Sequence, residues 1–264
     1  MHNSSNISPP FSLALVTGAS SGIGAAFCRL LASKKIPLLI TGRDVDHLNN
    51  LASELSKMVQ VRGIVADLAQ EGGREVLLKQ IYLHQPDLVV NSAGFGLYGK
   101  ALAHETAAQV AIMEVNAIAL LELTLESART LQTAGKKGVI MNISSAADRL
   151  VFPSLAVYAA SKAFVTQFSR SFDSEMRPHG IAILAACPGV VNTRFRYRAS
   201  GGKIKANGYW AMTPEFVAEE LWRQIESRKQ VNVFDWKTCI GIALSRLMPT
   251  KWVSKLLMRA IRSF

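Results

Sequence analysis

The sequence is poor in cysteine and in acidic residues, and it has no long apolar run. No stretch of about 18 consecutive apolar residues occurs, so we do not expect a membrane-spanning helix. The three cysteines, Cys28, Cys187 and Cys239, are an odd number without metal-ligand spacing, which predicts reduced thiols in a cytoplasmic protein. The N-terminus, MHNSSNISPP, is polar and lacks the apolar centre of a signal peptide, so we expect residues 1–10 to be a disordered lead-in.

The shortage of acids leaves a formal net charge of +11, from 30 Lys and Arg against 19 Asp and Glu. Such an excess suits nucleic acid, a membrane surface or an anionic ligand, but no nucleic-acid-binding motif accompanies it. The charge is also uneven. Residues 228–264 contain Asp235 as their only acid, and a second segment without acids carries Arg194, Arg196, Arg198, Lys203 and Lys205.

Short apolar runs alternate with segments of helical periodicity, and hydrophobic residues make up 49% of the chain. Strands are predicted at Leu13–Thr17, Leu38–Thr41, Gly63–Ala66, Leu88–Asn91, Val139–Ile143, Ala182–Cys187 and Val231–Phe234. Helices are predicted at Gly22–Lys34, Val45–Met58, Gln109–Gln132 and Ser154–Arg177. This alternation predicts a single α/β domain over residues 11–264, a doubly wound parallel sheet of about seven strands with helices on both faces.

The stretch LALVTGASSGIGAAF places three glycines, Gly18, Gly22 and Gly24, where a strand ends and a helix begins. A helix N-terminus presents unpaired N–H groups that stabilise a phosphate if the backbone can approach closely. We therefore interpret the stretch as a pyrophosphate cradle after the first strand. The spacing Gly-x-x-x-Gly-x-Gly differs from the usual Gly-x-Gly-x-x-Gly, and glycine turns between strands and helices are common.

The end of the second strand indicates which dinucleotide binds. An acid there would hold the adenosine ribose, but this strand is followed by Gly42 and Arg43. A guanidinium can bind a phosphate through two hydrogen bonds, which favours NADP(H) over NAD(H). The alternative is a solvent-exposed arginine beside a helix cap formed by Asp44 or Asp46, and Asp44 would weaken phosphate binding.

The segment YAASK places Tyr158 and Lys162 one helical turn apart. A nearby ammonium stabilises a phenolate and lowers the pKa of the tyrosine, which could then exchange a proton with a carbonyl or alcohol oxygen. Ser145, which follows a predicted strand, could bind the same substrate oxygen. The alternatives are an ordinary helix-surface pair and a serine that caps a turn.

Several motifs in order resemble those of the classical short-chain dehydrogenase/reductase (SDR) family, from about Leu13 to Thr193. TGASSGIG matches the cofactor loop, Asp67 in ADL the acid that contacts adenine, and NSAG at 91–94 the element Asn-Asn-Ala-Gly, with Ser92 departing from it. CPGVVNT at 187–193 matches the segment that faces the nicotinamide. The catalytic tetrad implied by the resemblance consists of Asn116, Ser145, Tyr158 and Lys162.

The resemblance implies hydride transfer between a nicotinamide and a carbonyl carbon. Tyr158 would be the general acid or base, Ser145 would polarise the carbonyl, and Asn116 would order a water that links Lys162 to a proton relay. Lys162 would lower the pKa of Tyr158 and hold the nicotinamide ribose. The implied cofactor contacts are Thr17, Gly18, Ser20, Ser21, Gly22, Ile23, Gly24, Arg43, Asp67, Leu68, Asn91, Ala93, Gly94, Tyr158, Lys162, Pro188, Gly189, Val191 and Thr193.

Substrate identity is expected to depend on the loop 190–212, whose cations could bind an anionic substrate or be solvated. The extension 235–264 ends in KWVSKLLMRAIRSF, a basic amphipathic helix that could lie on a membrane, cover the substrate site or form a subunit interface. We expect an NADP(H)-dependent oxidoreductase for a hydrophobic or lipid-like carbonyl or secondary alcohol. It would be a cytoplasmic homo-oligomer, as the family usually is. The alternatives are a 3-oxoacyl thioester reductase and a non-catalytic nucleotide-sensing scaffold.

Overall fold

The computed structural model describes residues 10–203, 211–249, 251–253 and 255. The expectation of a disordered lead-in therefore falls almost entirely outside the described residues. The same holds for Lys205 in the basic segment and for most of the amphipathic stretch after Lys251.

The strands of the described chain form one seven-stranded sheet in the order β3-β2-β1-β4-β5-β6-β7, with every neighbouring pair parallel. This confirms the predicted doubly wound α/β fold. The order reverses between β1 and β4, where ligands bind at the carboxyl ends of the strands in such sheets. The strands are β1 (Ala14–Thr17), β2 (Leu38–Gly42), β3 (Val61–Val65), β4 (Leu88–Asn91), β5 (Gly138–Ile143), β6 (Ile181–Ala186) and β7 (Val231–Asn232).

Helices cover both faces of this sheet, and the core forms two layers. Residues of α1, α2 and α8 pack on one face around Phe27, while α3, α5 and α6 pack on the other around Leu15 and Leu131. The helices are α1 (Gly22–Ser33), α2 (Val45–Leu55), α3 (Glu71–His84), α4 (Thr106–Met113), α5 (Leu120–Thr133), α6 (Ala156–Met176), α7 (Arg194–Ala199), α8 (Pro214–Ser227) and α9 (Trp236–Leu247).

The predicted helices at Gly22–Lys34, Val45–Met58 and Ser154–Arg177 are each one to three residues shorter in the structure, and two larger differences occur. The single helix predicted at Gln109–Gln132 begins earlier and is divided: a π turn at Glu114–Ala119 separates α4 from α5. Helix α3 was not identified from the sequence, because its first turn contains Gly72 and Gly73, which have low helix propensity.

One helical stretch within the described residues, Thr106–Thr133, is long and apolar enough by composition to cross a membrane, with a mean hydropathy of 1.5. This test is passed equally by core helices of soluble proteins. Here 44% of the apolar window is buried inside the molecule, and α5 packs against α3, β4 and β5. The stretch is therefore weak evidence for a membrane span.

Candidate active site

The turn after β1 is shaped by close backbone approaches that only glycine permits. Gly18 and Gly22 have positive φ values of 65° and 59°, and a Cβ on Gly18 would lie 2.8 Å from the Cα of Ala93. A Cβ on Gly24 would lie 2.4 Å from the carbonyl oxygen of Gly18. The three glycines therefore let α1 start directly against the turn, with its N-terminal N–H groups facing the end of the sheet.

A cleft of about 380 Å³ opens at this turn. Its lining includes eleven of the predicted cofactor residues, which are Gly18, Ser20, Ser21, Gly22, Ile23, Arg43, Asp67, Leu68, Ala93, Gly94 and Thr193. It also includes residues that were not among the predicted cofactor contacts, namely Phe95, Gly96, Leu97 and Val115, together with Arg194, Phe195, Arg198 and Ala199 from the expected substrate loop. The loop after β4 and helix α7 thus form much of the wall of the cleft.

Other predicted cofactor residues lie behind the cleft. The hydroxyl of Thr17 accepts hydrogen bonds from the backbone N–H groups of Ser92 and Ala93, both at 3.0 Å, and so joins the ends of β1 and β4. Gly24, Asn91, Tyr158, Lys162, Pro188, Gly189 and Val191 are likewise absent from the lining of the cleft. The carbonyl of Pro188 accepts a hydrogen bond from Ala146 N, which ties the end of β6 to the turn after Ser145.

Asn91 corrects the sequence interpretation most clearly. Its side chain is 3% exposed and donates to Asn142 Oδ1 at 2.9 Å and Thr124 Oγ1 at 3.1 Å. The side chain thus lies in the core, between β5 and α5. Asn91 therefore stabilises the packing under the cleft and does not contact its interior.

The residues of the predicted tetrad are brought together at the carboxyl end of β5. Tyr158 and Lys162 lie on one face of α6, with the Lys162 ammonium 5.8 Å from the Tyr158 ring centroid. The Ser145 side chain is near enough to the Tyr158 phenol to lower the pKa of that phenol. Ser145 also caps the short helix at Ala146–Arg149 by accepting from Ala147 N at 3.2 Å, so its capping and its contact with Tyr158 coexist.

Burial determines the proton affinities of this pair. It raises the pKa of Tyr158 to about 12, and the nearby Ser145 side chain offsets this only partly. Burial also lowers the pKa of Lys162 to about 8. The ammonium donates to the carbonyl of Ile143 at 2.9 Å. The pKa of Tyr158 is thus raised in this structure and not lowered as expected, because desolvation of the phenolate dominates.

Asn116 lies in the π turn, where the backbone irregularity directs its amide at the loop after β4. Its Oδ1 accepts from Phe95 N at 3.0 Å, and its Nδ2 donates to Phe95 O at 2.9 Å and to Ser161 Oγ at 3.1 Å. A Cβ on Gly94 would be 3.1 Å from Asn116 Oδ1 and 3.3 Å from Lys162 Nζ. Asn116 therefore holds the cleft loop in place next to the lysine.

Helix α7 covers the site and is held from two sides. The ring of Phe195 packs on Tyr158 with a centroid distance of 5.2 Å. The carbonyl of Ala199 accepts from Tyr98 N at 2.8 Å, and Arg196 is near enough to the Tyr98 phenol to lower the pKa that burial raises. The sequence indicated a basic loop in this region. A helix of six residues is too short for its sequence pattern to predict which side chains face the cleft.

The cleft contains Arg43 at the end of β2, as the sequence suggested. Arg43 is exposed, and its guanidinium carbon lies 5.9 Å from the centroid of Phe95. The neighbouring Asp44 caps α2 by accepting from His47 N at 3.2 Å and also pairs with His47 Nδ1 at 2.9 Å. The cap expected at Asp44 or Asp46 is therefore Asp44.

Comparison with known proteins assigns the chain to a family. Residues 12–202 match the family model described as short chain dehydrogenase, so the chain belongs to the short-chain dehydrogenase family. It is an oxidoreductase that acts on alcohol or carbonyl groups, with a Rossmann-type nucleotide-binding fold.

Two curated relatives have similar length. The chain is 31% identical to sulfoacetaldehyde reductase 2 of Chromohalobacter salexigens, over 84% of this chain and 91% of the relative. It is 29% identical to serine 3-dehydrogenase of Agrobacterium fabrum, over 83% and 90% of the two chains.

Among solved structures, a short-chain dehydrogenase from Sphingobium yanoikuyae in complex with NADPH superimposes with a TM-score of 0.80 at 24% identity. The match covers 89% of this chain and 95% of that one. A 7beta-hydroxysteroid dehydrogenase gives a TM-score of 0.81 at 20% identity, over 93% and 96%. These similarities support the fold.

Proposed function

We propose that this protein is an NADP(H)-dependent oxidoreductase that transfers hydride between the nicotinamide and a carbonyl or secondary alcohol, with Tyr158 as the proton donor and acceptor. The observation that carries the proposal is the contact of Tyr158 with Ser145, one turn from Lys162, beside a cleft that begins at the glycine turn. The cradle around Gly18 and Gly24, which a Cβ would fill, fits a dinucleotide pyrophosphate.

The bound nicotinamide would supply the hydride for the carbonyl carbon. Ser145 donates a hydrogen bond to the carbonyl oxygen and orients it, and Tyr158 gives that oxygen its phenolic proton. The high pKa of Tyr158 keeps the phenol protonated at neutral pH, which suits an acid in the reductive direction. Lys162 provides positive charge next to the phenol and holds the nicotinamide ribose, and Asn116 keeps the loop after β4 in register and orders the relay water.

The Tyr158→Phe variant tests the proton-transfer role. We expect NADPH binding to remain and turnover to fall by about 10²–10⁴-fold, the usual contribution of general acid–base catalysis. Binding is measured by titration calorimetry and turnover by NADPH absorbance with a panel of ketones. Tyr82→Phe is the matched control, because Tyr82 is 78% exposed on α3. Normal turnover by Tyr158→Phe would refute the mechanism.

The preference for NADP(H) is proposed from Arg43, which lines the cleft just after β2, where the adenosine ribose is expected. Arg43→Ala should weaken NADPH binding about tenfold or more and leave NADH binding nearly unchanged, because only NADPH carries the extra phosphate. Equal losses of affinity for NADPH and NADH would contradict the role assigned to Arg43.

For the substrate we propose a hydrophobic carbonyl compound or its alcohol, because Phe195 and Leu97 border the space next to Tyr158 and Gly96. A screen of long-chain, steroid and short anionic ketones, with 3-oxoacyl thioesters as a separate arm, tests this choice. Turnover of short anionic compounds alone would contradict it, and a strong preference for thioesters would favour the alternative reductase.

We also propose that residues 11–264 form one domain and that the protein is a cytoplasmic homo-oligomer. The rings of Phe164, Phe168 and Phe172 stack along α6 at centroid distances of 5.8 and 5.5 Å, and Phe164 is 37% exposed. This surface suits a second copy. The free thiols at Cys28, Cys187 and Cys239 fit a reducing compartment. Light scattering with Phe164→Glu tests the oligomer, which we expect this charge to weaken.

A further inference from the structure

Helix α7 contributes two arginines to the cleft. Arg194 and Arg198 are one helical turn apart, so they lie on the same side of α7, and both line the cleft together with Arg43. Arg196, between them in sequence, instead contacts Tyr98. The three arginines of the basic segment are therefore divided between two sides of one short helix.

The contacts of these two arginines place them at the adenosine end of the cleft. Arg194 Nη1 lies 3.0 Å from His47 Nε2, and His47 Nδ1 lies 2.9 Å from Asp44 Oδ1. The positive charge of Arg198 is close enough to contribute to the lowered pKa of Asp44, after the larger effect of the hydrogen bonds from His47. Both arginines therefore face the start of α2, immediately after Arg43.

The charge balance at this end favours an anion. The cleft lining contains four charged residues, the three arginines and Asp67. Asp67 accepts a hydrogen bond from Ala69 N at 3.1 Å, and Asp44 is already engaged by His47. All three arginines line the same cleft, and a guanidinium can donate two parallel hydrogen bonds to phosphate oxygens.

We propose that Arg194 and Arg198 join Arg43 to form a binding site for the 2′-phosphate of NADP(H). The inference rests on the proposed cofactor NADP(H). It extends the binding site of that cofactor to α7, the helix whose Phe195 packs against Tyr158. The pyrophosphate is the other phosphate source, but its cradle is the glycine turn and the N-terminus of α1. The α7 arginines instead meet the residues that follow β2, where the ribose is expected.

The test uses the Arg194→Gln/Arg198→Gln double variant and both single variants. Dissociation constants are measured by titration calorimetry for NADPH, NADH, adenosine 2′,5′-bisphosphate and 5′-AMP. We expect the double variant to lose at least about tenfold in affinity for NADPH and for the bisphosphate, and less than about twofold for NADH and 5′-AMP. Arg129→Gln, at an exposed position of α5 that does not line the cleft, is the matched control and should bind the bisphosphate as the wild type does.

The other outcomes separate this inference from the proposed cofactor. Unchanged NADPH binding in the double variant overturns the inference while leaving Arg43 and the NADP(H) preference intact. Equal losses for NADPH and NADH overturn it as well, because they indicate the pyrophosphate as the bound group. If the wild type binds the bisphosphate no better than 5′-AMP, the cofactor preference itself fails. If the double Gln variant is poorly folded, the Arg194→Lys/Arg198→Lys variant, which keeps both charges, is tested in its place. It should retain part of the affinity for NADPH.

Discussion

At the scale of single residues, the site combines two groups whose proton affinities are shifted in opposite directions by the same burial. A desolvated phenol resists ionisation, and a desolvated ammonium loses its proton more easily. Tyr158 accordingly has a pKa of about 12 and Lys162 a pKa of about 8. At neutral pH this gives a protonated phenol next to a charged lysine, which is the state that carbonyl reduction requires.

The pH profile of the reductive reaction follows from these shifts. With saturating NADPH, we expect kcat to be level between about pH 6 and pH 7.5 and to fall above the Lys162 pKa of about 8, because the lysine then loses its charge while Tyr158 remains protonated. Stopped-flow rates across this range provide the measurement. Ser145→Ala should lower the plateau and keep the position of the alkaline limb. A rate that stays level to pH 10 would contradict a requirement for charged Lys162.

The sequence predicted residues that belong to motifs and missed those that reach the site through tertiary contacts. Ser145, Tyr158 and Lys162 meet as expected because the end of β5 and the first turns of α6 are adjacent in a doubly wound sheet. Phe195 and Arg198 were placed only in the loop expected to close over the site, since the orientation of each side chain depends on how α7 packs against Tyr98 and α2. Asn91 was misplaced because one sequence does not show which face of β4 its side chain occupies.

At the scale of secondary-structure elements, α3 shows how neighbouring glycines can have opposite importance. A Cβ on Gly73 would lie 2.1 Å from the carbonyl oxygen of Asp67, whereas nothing lies within 4 Å of a Cβ on Gly72. Helix α3 therefore packs directly on the backbone of a residue that lines the cleft. Both glycines made α3 difficult to predict from the sequence, but only Gly73 is required by a close contact.

Alanine substitutions at these two positions form a matched pair. Gly73→Ala should destabilise the protein by about 1–3 kcal/mol or more through overpacking, and it should weaken NADPH binding by displacing Asp67. Gly72→Ala should be neutral or stabilise it by up to about 1 kcal/mol, because alanine has less conformational entropy to lose in a helix. Urea denaturation measures both effects. Equal stability of the two variants would contradict the contact described for Gly73.

At the scale of the whole molecule, the net charge of +11 is partly concentrated where function is proposed. Three of the four charged residues that line the cleft are arginines. The charge of the whole protein and the charge of the cleft therefore both attract anions. A positive field attracts an anionic cofactor from solution, and this attraction is weakened by salt because the Debye length shortens from about 10 Å at 0.1 M to about 3 Å at 1 M.

Cofactor affinity should therefore depend on ionic strength, and more steeply for NADPH than for NADH, because the 2′-phosphate adds roughly −1.5 to −2 charges at pH 7. We expect the dissociation constant for NADPH to rise several-fold between low and high NaCl, and that for NADH to rise less. Fluorescence titrations at a series of salt concentrations give both slopes. In the Arg194→Gln/Arg198→Gln variant the NADPH slope should approach the NADH slope, since two of the charges that distinguish the cofactors are removed. Identical slopes for the two cofactors in the wild type would show that the basic cleft does not discriminate between them by charge.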